Sequence, residues 1–291
     1  MYMKTLREYI NKAKEEGVAV GHFNISNLEA LHGIFNAAKD LDLPVIIGVS
    51  EGERKFVGVL EAAALVRSLR EEHNYPVFLN ADHTYSYEGV VEAIDAGFDS
   101  VIFDGVRLSP EENIEMTKKC VEYARSSGRD VIVEAEMGNI GQSSKVLDEV
   151  PEGVATDEAF MTSVEEAKDF VEATGVDMLA PAVGNMHGMV KGSHNPRIDE
   201  QRVKDIAEAT GVPLVLHGGS GLVDEDFTRA IKAGVACVHI NTEIRIAYKE
   251  ALVESLAQNP DEIAPYRILQ PAVDAVQAVV SARLKLFTHQ N

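Results

Sequence analysis

Three histidines of this 291-residue chain stand among small or reactive neighbours: His83 in Ala-Asp-His-Thr, His187 in Asn-Met-His-Gly and His217 in Leu-His-Gly-Gly-Ser-Gly. Glu134 and Glu136 flank an alanine. Imidazole nitrogens with a carboxylate nearby are a donor set for Zn²⁺ that leaves a coordination position for water or substrate. Asp82, beside the first of these histidines, reads either as a carboxylate that orients a ligand or as a proton donor and acceptor. Gly184, Gly188, Gly218, Gly219 and Gly221 surround the two later histidines. They read either as an anion cradle of backbone N–H groups, to which Ser220, Thr242 and Lys191 add donors, or as tight turns.

These residues are far apart in the chain, so their chemistry requires a fold that collects them. Runs rich in Val, Ile and Leu recur eight times: Val18–Phe23, Pro44–Val49, Val77–Asn80, Ser100–Phe103, Asp130–Glu136, Met178–Ala182, Leu214–His217 and Cys237–Ile240. Nearly continuous runs such as PVIIGV and PLVLH fit parallel strands covered by helices. Amphipathic segments lie between them. Leu28, Leu31, Phe35 and Ala38 share a helical face behind Asn27 as N-cap, and Ser109-Pro110 with Glu111 and Glu112 opens a helix running towards Ser126. DAGFDSV, ATGVDML, ATGVPLV and KAGVACV each place a glycine at a helix end before a strand. Eight such units without a linker predict one α/β domain over residues 1–291, a closed (β/α)8 TIM barrel with additional C-terminal helices in Pro260–Asn291.

In such a barrel the C-terminal ends of all strands open onto one face. Ser50, Asp82, His83, Asp104, Glu134, Glu136, Gly184–Lys191, His217–Gly221, Asn241 and Thr242 fall at those ends. His83, His187 and His217 therefore face a common mouth. Glu134 and Glu136, two apart on a strand, point into it together, which is costly without a cation.

Lys and Arg total 27 against 47 Asp and Glu, a net charge of -20. That disfavours nucleic acid and anionic membranes as partners, and an anionic substrate would need local donors to overcome the global field. Cys120 and Cys237 read as two buried thiols rather than a disulfide or a metal motif. Met1–Gly17 is charged and helix-patterned, and no apolar stretch approaches the ~18 residues of a membrane span. A cytoplasmic protein is expected.

The stretches HFNISNLEAL, VSEGERKF, ADHT, DAGFDSVIFDG, VEAEMGNIG, VGNMHGMVKG, PLVLHGGSGL and INTEIR, taken together, resemble the class II, metal-dependent ketose-bisphosphate aldolases over nearly the whole chain. The resemblance implies the barrel, a homodimer or homotetramer, and a sugar phosphate as the small-molecule partner. It implies reversible cleavage of a ketose 1,6-bisphosphate, of fructose or tagatose type, to dihydroxyacetone phosphate and an aldehyde. His83, His187 and His217 would hold one catalytic Zn²⁺, with Glu136 as a further ligand and a second divalent or a monovalent cation as an added option. Asp82 would handle the hydroxyl proton at the reacting bond. Gly188, Lys191, Gly218, Ser220, Asn241 and Thr242 match the phosphate cradle, and Asn24 and Ser50 match substrate-side polar positions.

Three positions depart from the family pattern. Ser144, in GQSSK, stands where a glutamate commonly serves as the carbon base, with Asp148 or Glu149 as substitutes on the same loop. His239 stands for an asparagine on the substrate side, and Tyr266 for an arginine that reaches the second phosphate. These departures predict a different aldehyde partner or altered catalysis. The alternative reading is a sugar-phosphate-binding regulatory protein that keeps both sites without turnover. A metal-dependent hydrolase is disfavoured, because His22 lacks the second histidine of a His-x-His pair.

Overall fold

A computed structural model of the chain describes residues 4–141, 144–152, 154 and 158–290. The chain begins with α1 (Leu6–Glu16), β1 (Val20–Asn24), α2 (Leu28–Leu41), β2 (Val45–Ser50), α3 (Glu51–Val57), α4 (Val59–His73), β3 (Val77–Thr84) and α5 (Tyr87–Ala96). It continues through β4 (Ser100–Phe103), α6 (Pro110–Ser126), β5 (Ile132–Met137), β6 (Val146–Leu147), α7 (Val164–Thr174), β7 (Met178–Pro181) and β8 (Met189–Val190). The last part holds α8 (Glu200–Thr210), β9 (Leu214–Leu216), α9 (Asp224–Ala233), β10 (Val235–Ile240), α10 (Thr242–Gln258) and α11 (Pro265–Phe287).

Eight strands close a parallel barrel in the order β1-β10-β9-β7-β5-β4-β3-β2, and each is one of the eight apolar runs. The caps are those the sequence predicts. Asn27 accepts from the Ala30 N–H at 2.9 Å, and a Ser109–Glu112 capping box opens α6 at Pro110. Gly97, Gly175, Gly211 and Gly234 close α5, α7, α8 and α9. On α2, Leu31, Phe35 and Ala38 are buried, whereas Leu28 stays exposed.

One apolar layer lies between the strands and the helices, and a second fills the barrel's lower interior. There Val20, Ile46, Phe78, Ile132, Met178 and Val215 meet Leu6 and Ile10 of α1, which closes that end. Burying each of those two side chains contributes roughly 1.5–3 kcal/mol. Arg7 adds a bond from Nη1 to Asp177 Oδ1 at 2.5 Å. With the bottom plugged by apolar packing, the polar strand ends are left to the other face.

The C-terminal helix takes a place in the ring. α11 packs on α2, α9 and β1, burying Val276, Val280, Leu284 and Phe287, while α10 lies outside it and buries only Thr242, Ile244 and Ser255. β6 and β8 form a separate parallel pair, Val146 with Met189 and Leu147 with Val190, which ties the loop after β5 to the loop after β7. Cys120 and Cys237 are buried free thiols. No helix among the described residues is long and apolar enough to cross a membrane.

Candidate metal centre and substrate cavity

The site begins with an irregularity in β3. Its pairing with β4 runs Asn80 to Ser100 and Ala81 to Val101, then skips to Thr84 with Phe103. One extra residue is accommodated as a bulge, and His83 sits in it at φ 42°, a left-handed backbone uncommon outside glycine. Successive strand residues ordinarily face opposite sides. The bulge turns both Asp82 and His83 towards the same cavity.

Three imidazoles converge beside it, with His83 and His187 lining the cavity and His217 buried behind them. The ring of His83 is 5.0 Å from those of His187 and His217, and the latter two are 5.9 Å apart. His83 Nδ1 donates to Asp104 Oδ2 at 2.8 Å, and His187 Nδ1 donates to the Gly141 carbonyl at 2.7 Å. Each bond fixes ring orientation and leaves Nε2 for a ligand role, the arrangement typical of metal-binding histidines. One ligand atom each from His83, Glu136, His187 and His217 lies within 4.8 Å of the others. Tetrahedral bonds of about 2.1 Å place ligands roughly 3.4 Å apart, so small side-chain movements suffice and the donor set fits a divalent ion.

The charges fit it as well. His217 donates from Nδ1 to Glu136 Oε2 at 2.8 Å and from Nε2 to Glu134 Oε1 at 2.7 Å, with all three residues buried. Burial disfavours the charged ring, but the two carboxylates outweigh it and hold its pKa well above the ordinary value. For His83, burial is likewise outweighed, by Asp82, Asp104 and Glu136, and the pKa rises to about 9. Burial and the neighbouring His83 push His187 down to about 4. Burial alone would raise Asp82, but His83, His239 and His22 keep its carboxyl well below the usual range. Protons on His83 and His217 thus supply positive charge that a divalent ion would replace.

A second group of ligand-type atoms, on His22, Asp82 and His239, has a different geometry. The His22 and His239 rings stack 3.5 Å apart at 4°. Nitrogen lone pairs lie in the ring plane, so parallel rings cannot both point at one ion between them. This group is a stack beside Asp82, with His239 Nδ1 3.6 Å from Asp82 Oδ1.

A cavity of about 250 Å³ opens beside the three histidines, lined by Asn24, Ser50, Asp82, His83 and His187. Gly188, Gly218, Ser220, Asn241 and Thr242 line it too. Gly218 has φ 63°, and a Cβ there would meet the Met186 carbonyl at 2.3 Å, so the backbone turn requires glycine. Asn241 places no side-chain cap on α10, and its Oδ1 has no partner among the described residues. Ser220 Oγ accepts from the N–H groups of Asn241 and Glu243 at 3.4 and 3.3 Å. The N-terminus of α10 therefore meets the cavity beside two glycine turns, an arrangement suited to an anion.

A family profile described as "Fructose-bisphosphate aldolase class-II" matches residues 4–291. The chain belongs to the class II fructose-bisphosphate aldolases. It is 40% identical over 294 residues to a probable fructose-bisphosphate aldolase of Bacillus subtilis (strain 168), covering 100% of this chain and 99% of that protein. A fructose-bisphosphate aldolase of Geobacillus stearothermophilus is 39% identical over 290 residues, covering 99% of this chain and 97% of its own. Among solved structures, the YdjI aldolase from Escherichia coli K12 superposes with a TM-score of 0.82 at 30% identity, over 98% of this chain and 97% of that one. A putative fructose-1,6-biphosphate aldolase from Coccidioides immitis gives 0.81 at 30%, over 97% and 95%. These matches make the chain a class II aldolase of the barrel fold and give no support to a non-catalytic binder.

Within this aldolase, not every residue singled out in the sequence reaches the cavity. Lys191 is exposed and lies outside the lining, its N–H bonded to the Leu147 carbonyl after β8. Tyr266 is 68% exposed and also outside it. Ser144 and His239 do line the cavity, whereas Asp148 and Glu149 do not. Gln142 and Ser143 of the GQSSK stretch lie outside the described residues. The sequence reading passed over Glu53, Tyr85 and Arg245. Tyr85 and Arg245 line the cavity, and buried Glu53 binds Asn24. The signals were slight: Glu53 sits three residues after Ser50 as a capping partner, and Arg245 one turn into α10.

Proposed function

We propose that the protein catalyses metal-dependent, reversible aldol cleavage of a ketose 1,6-bisphosphate of fructose or tagatose type, giving dihydroxyacetone phosphate and an aldehyde. The observation that carries this reading is the convergence of His83, His187 and His217 beside Asp82, with the Nδ1 atoms of His83 and His187 already engaged. A bound Zn²⁺ would act as a Lewis acid on the ketone and stabilise the negative charge left on oxygen when the C3–C4 bond breaks. His83, His187, His217 and Glu136 would hold it as one catalytic ion, and the parallel stack of His22 and His239 disfavours a second divalent ion shared by those two rings.

Asp82 is ionised and buried, with Oδ2 fixed by Asn24 Nδ2 at 2.8 Å and Oδ1 without a hydrogen-bond partner. It is ready to take the C4 hydroxyl proton in cleavage and to return it in condensation. The open start of α10, with Gly188, Gly218, Ser220, Asn241 and Thr242, would receive the phosphate of the dihydroxyacetone half, and a monovalent cation is compatible with that cradle. Asn24 and Ser50 line the same cavity and would offer polar contacts to the substrate. Val253, Leu256, Ile263 and Tyr266 are exposed around the end of α10 and the start of α11, which supports a homodimer or homotetramer, and the reading carries a cytoplasmic setting with it.

The test is a panel of fructose and tagatose bisphosphates and monophosphates assayed with zinc-loaded and chelator-stripped protein. Cleavage should vanish with the metal, return with zinc, and survive borohydride in the presence of substrate. Turnover by fully stripped protein refutes the reading.

A further inference from the structure

Arg245, Glu53, Asn24 and Asp82 form an unbroken chain of hydrogen bonds across four elements, α10, α3, β1 and β3. Arg245 Nη2 donates to Glu53 Oε1 at 2.5 Å. Glu53 Oε2 accepts from the Ser50 N–H at 2.7 Å and from Asn24 Nδ2 at 2.8 Å. The same amide nitrogen donates to Asp82 Oδ2 at 2.8 Å. Glu53, Asn24 and Asp82 are only 6%, 4% and 5% exposed. Arg245 is the sole lysine or arginine lining the cavity among the described residues.

The Asn24 amide uses its two hydrogens on two carboxylates, one of which handles the proton in the proposed reaction. An amide free to rotate would leave the Asp82 oxygen several ways to point. Glu53 removes that freedom by engaging the second hydrogen, and the Ser50 N–H holds Glu53 from the strand side. A carboxylate buried this deeply needs a cation, and Arg245 supplies it from α10, the helix whose start faces the phosphate cradle. The two ends of the cavity are thus joined through one ion pair.

We infer that Arg245 and Glu53 are a positioning pair that fixes the Asp82 carboxylate through Asn24 and ties its orientation to the seating of α10. The inference rests on the assignment of Asp82 as the proton-handling residue. Misplacing a reacting group by about 1 Å can cost ~100-fold in rate. Arg245→Met and Glu53→Ala should each lower kcat about 10- to 100-fold, with KM within roughly threefold and zinc content unchanged. The double variant should lose little more than either single one, because one chain of contacts is cut twice. Arg245→Lys should recover most of the rate.

Steady-state kinetics, zinc stoichiometry and thermal unfolding on the full-length protein decide it. If kcat per zinc-loaded, folded molecule stays within about twofold in both single variants, the pair is merely structural and the inference is overturned. A rise in KM at constant kcat also overturns it, by making Arg245 a substrate-binding residue. Asp82→Asn separates the premise from the inference: turnover near that of the unaltered protein would remove the role of Asp82, and the inference with it, whereas a collapse of kcat there leaves the two pair variants to decide.

Discussion

The Asp104 carboxylate, on the residue that follows β4, lies 2.8 Å from Nδ1 of His83 on the adjacent strand β3. Asp104 is buried, and although burial alone would raise it, the bond to His83 keeps its pKa low. It is therefore an acceptor that locks the His83 ring with Nε2 towards the proposed ion. Partners of this kind contribute about 10- to 100-fold to metal affinity. Asp104→Ala should weaken zinc binding by that factor while leaving the barrel folded, as measured by competition with a chelator of known affinity. Unchanged affinity would remove Asp104 from the metal centre.

The raised and lowered histidines give the metal-free protein a defined pH profile. His83 keeps its proton up to about pH 9, against 6.5 for an ordinary histidine. Its contribution to stability is full below 6.5 and is lost as pH rises through 9. His22 and His187, pushed down to about 4, act in the opposite sense. Their contribution is present above 6.5 and is lost as pH falls towards 4. Stripped protein should show its highest unfolding midpoint near neutrality and decline on both sides. With zinc present the alkaline decline should vanish, because losing the His83 proton strengthens metal binding. A stripped-protein midpoint that climbs steadily between about pH 7 and about pH 9 contradicts the assignment.

The strands and most caps are legible in the sequence because they depend on local patterning. Val45–Ser50 and Leu214–Leu216 are apolar runs of strand length between helical periods, and Asn27 and Ser109 are capping residues wherever they occur before a helix. The bulge at His83 is not legible. Val77–Asn80 reads as a complete strand, but pairing with β2 carries it on to Asp82 and pairing with β4 to Thr84. Glu53 and Arg245 are hidden for a related reason: on two different helices, their meeting depends on the rotation of each about its own axis. Helix periodicity in Pro265–Phe287 shows an amphipathic helix but not that it displaces α10 from the ring. That outcome follows from α10 having no continuous apolar face to bury.

Gly218 carries a sharp steric demand in the proposed phosphate cradle. An alanine there would adopt a left-handed φ near 63° and drive its Cβ to 2.3 Å from the Met186 carbonyl oxygen. The backbone conformation alone costs about 1–2 kcal/mol, and relieving the contact must move the segment that carries His187. Gly218→Ala should lower the unfolding midpoint and raise KM for the phosphorylated ketose more than it lowers zinc content. Normal KM with a normal midpoint would show that the turn tolerates a side chain.

Ser144 lines the cavity at the position where the class II family commonly carries its carbon base, and a serine hydroxyl is a poor base at neutral pH. Asp148 and Glu149 do not line the cavity. Proton exchange at the prochiral carbon of dihydroxyacetone phosphate should therefore be slow in the unaltered protein relative to carbon–carbon cleavage. Ser144→Glu should raise it by ~100-fold or more, the span that a positioned general base contributes. The measurement is deuterium incorporation into dihydroxyacetone phosphate with zinc-loaded protein, followed by NMR. Fast exchange in the unaltered protein would mean that another group already abstracts the proton. The paired His22 and His239 beside Asp82 would then be the first place to look, since His239 lines the same cavity and its pKa is held well below the ordinary value, chiefly by burial. A neutral imidazole there has a free nitrogen to offer, so His239→Asn would be expected to abolish the exchange that Ser144 cannot explain.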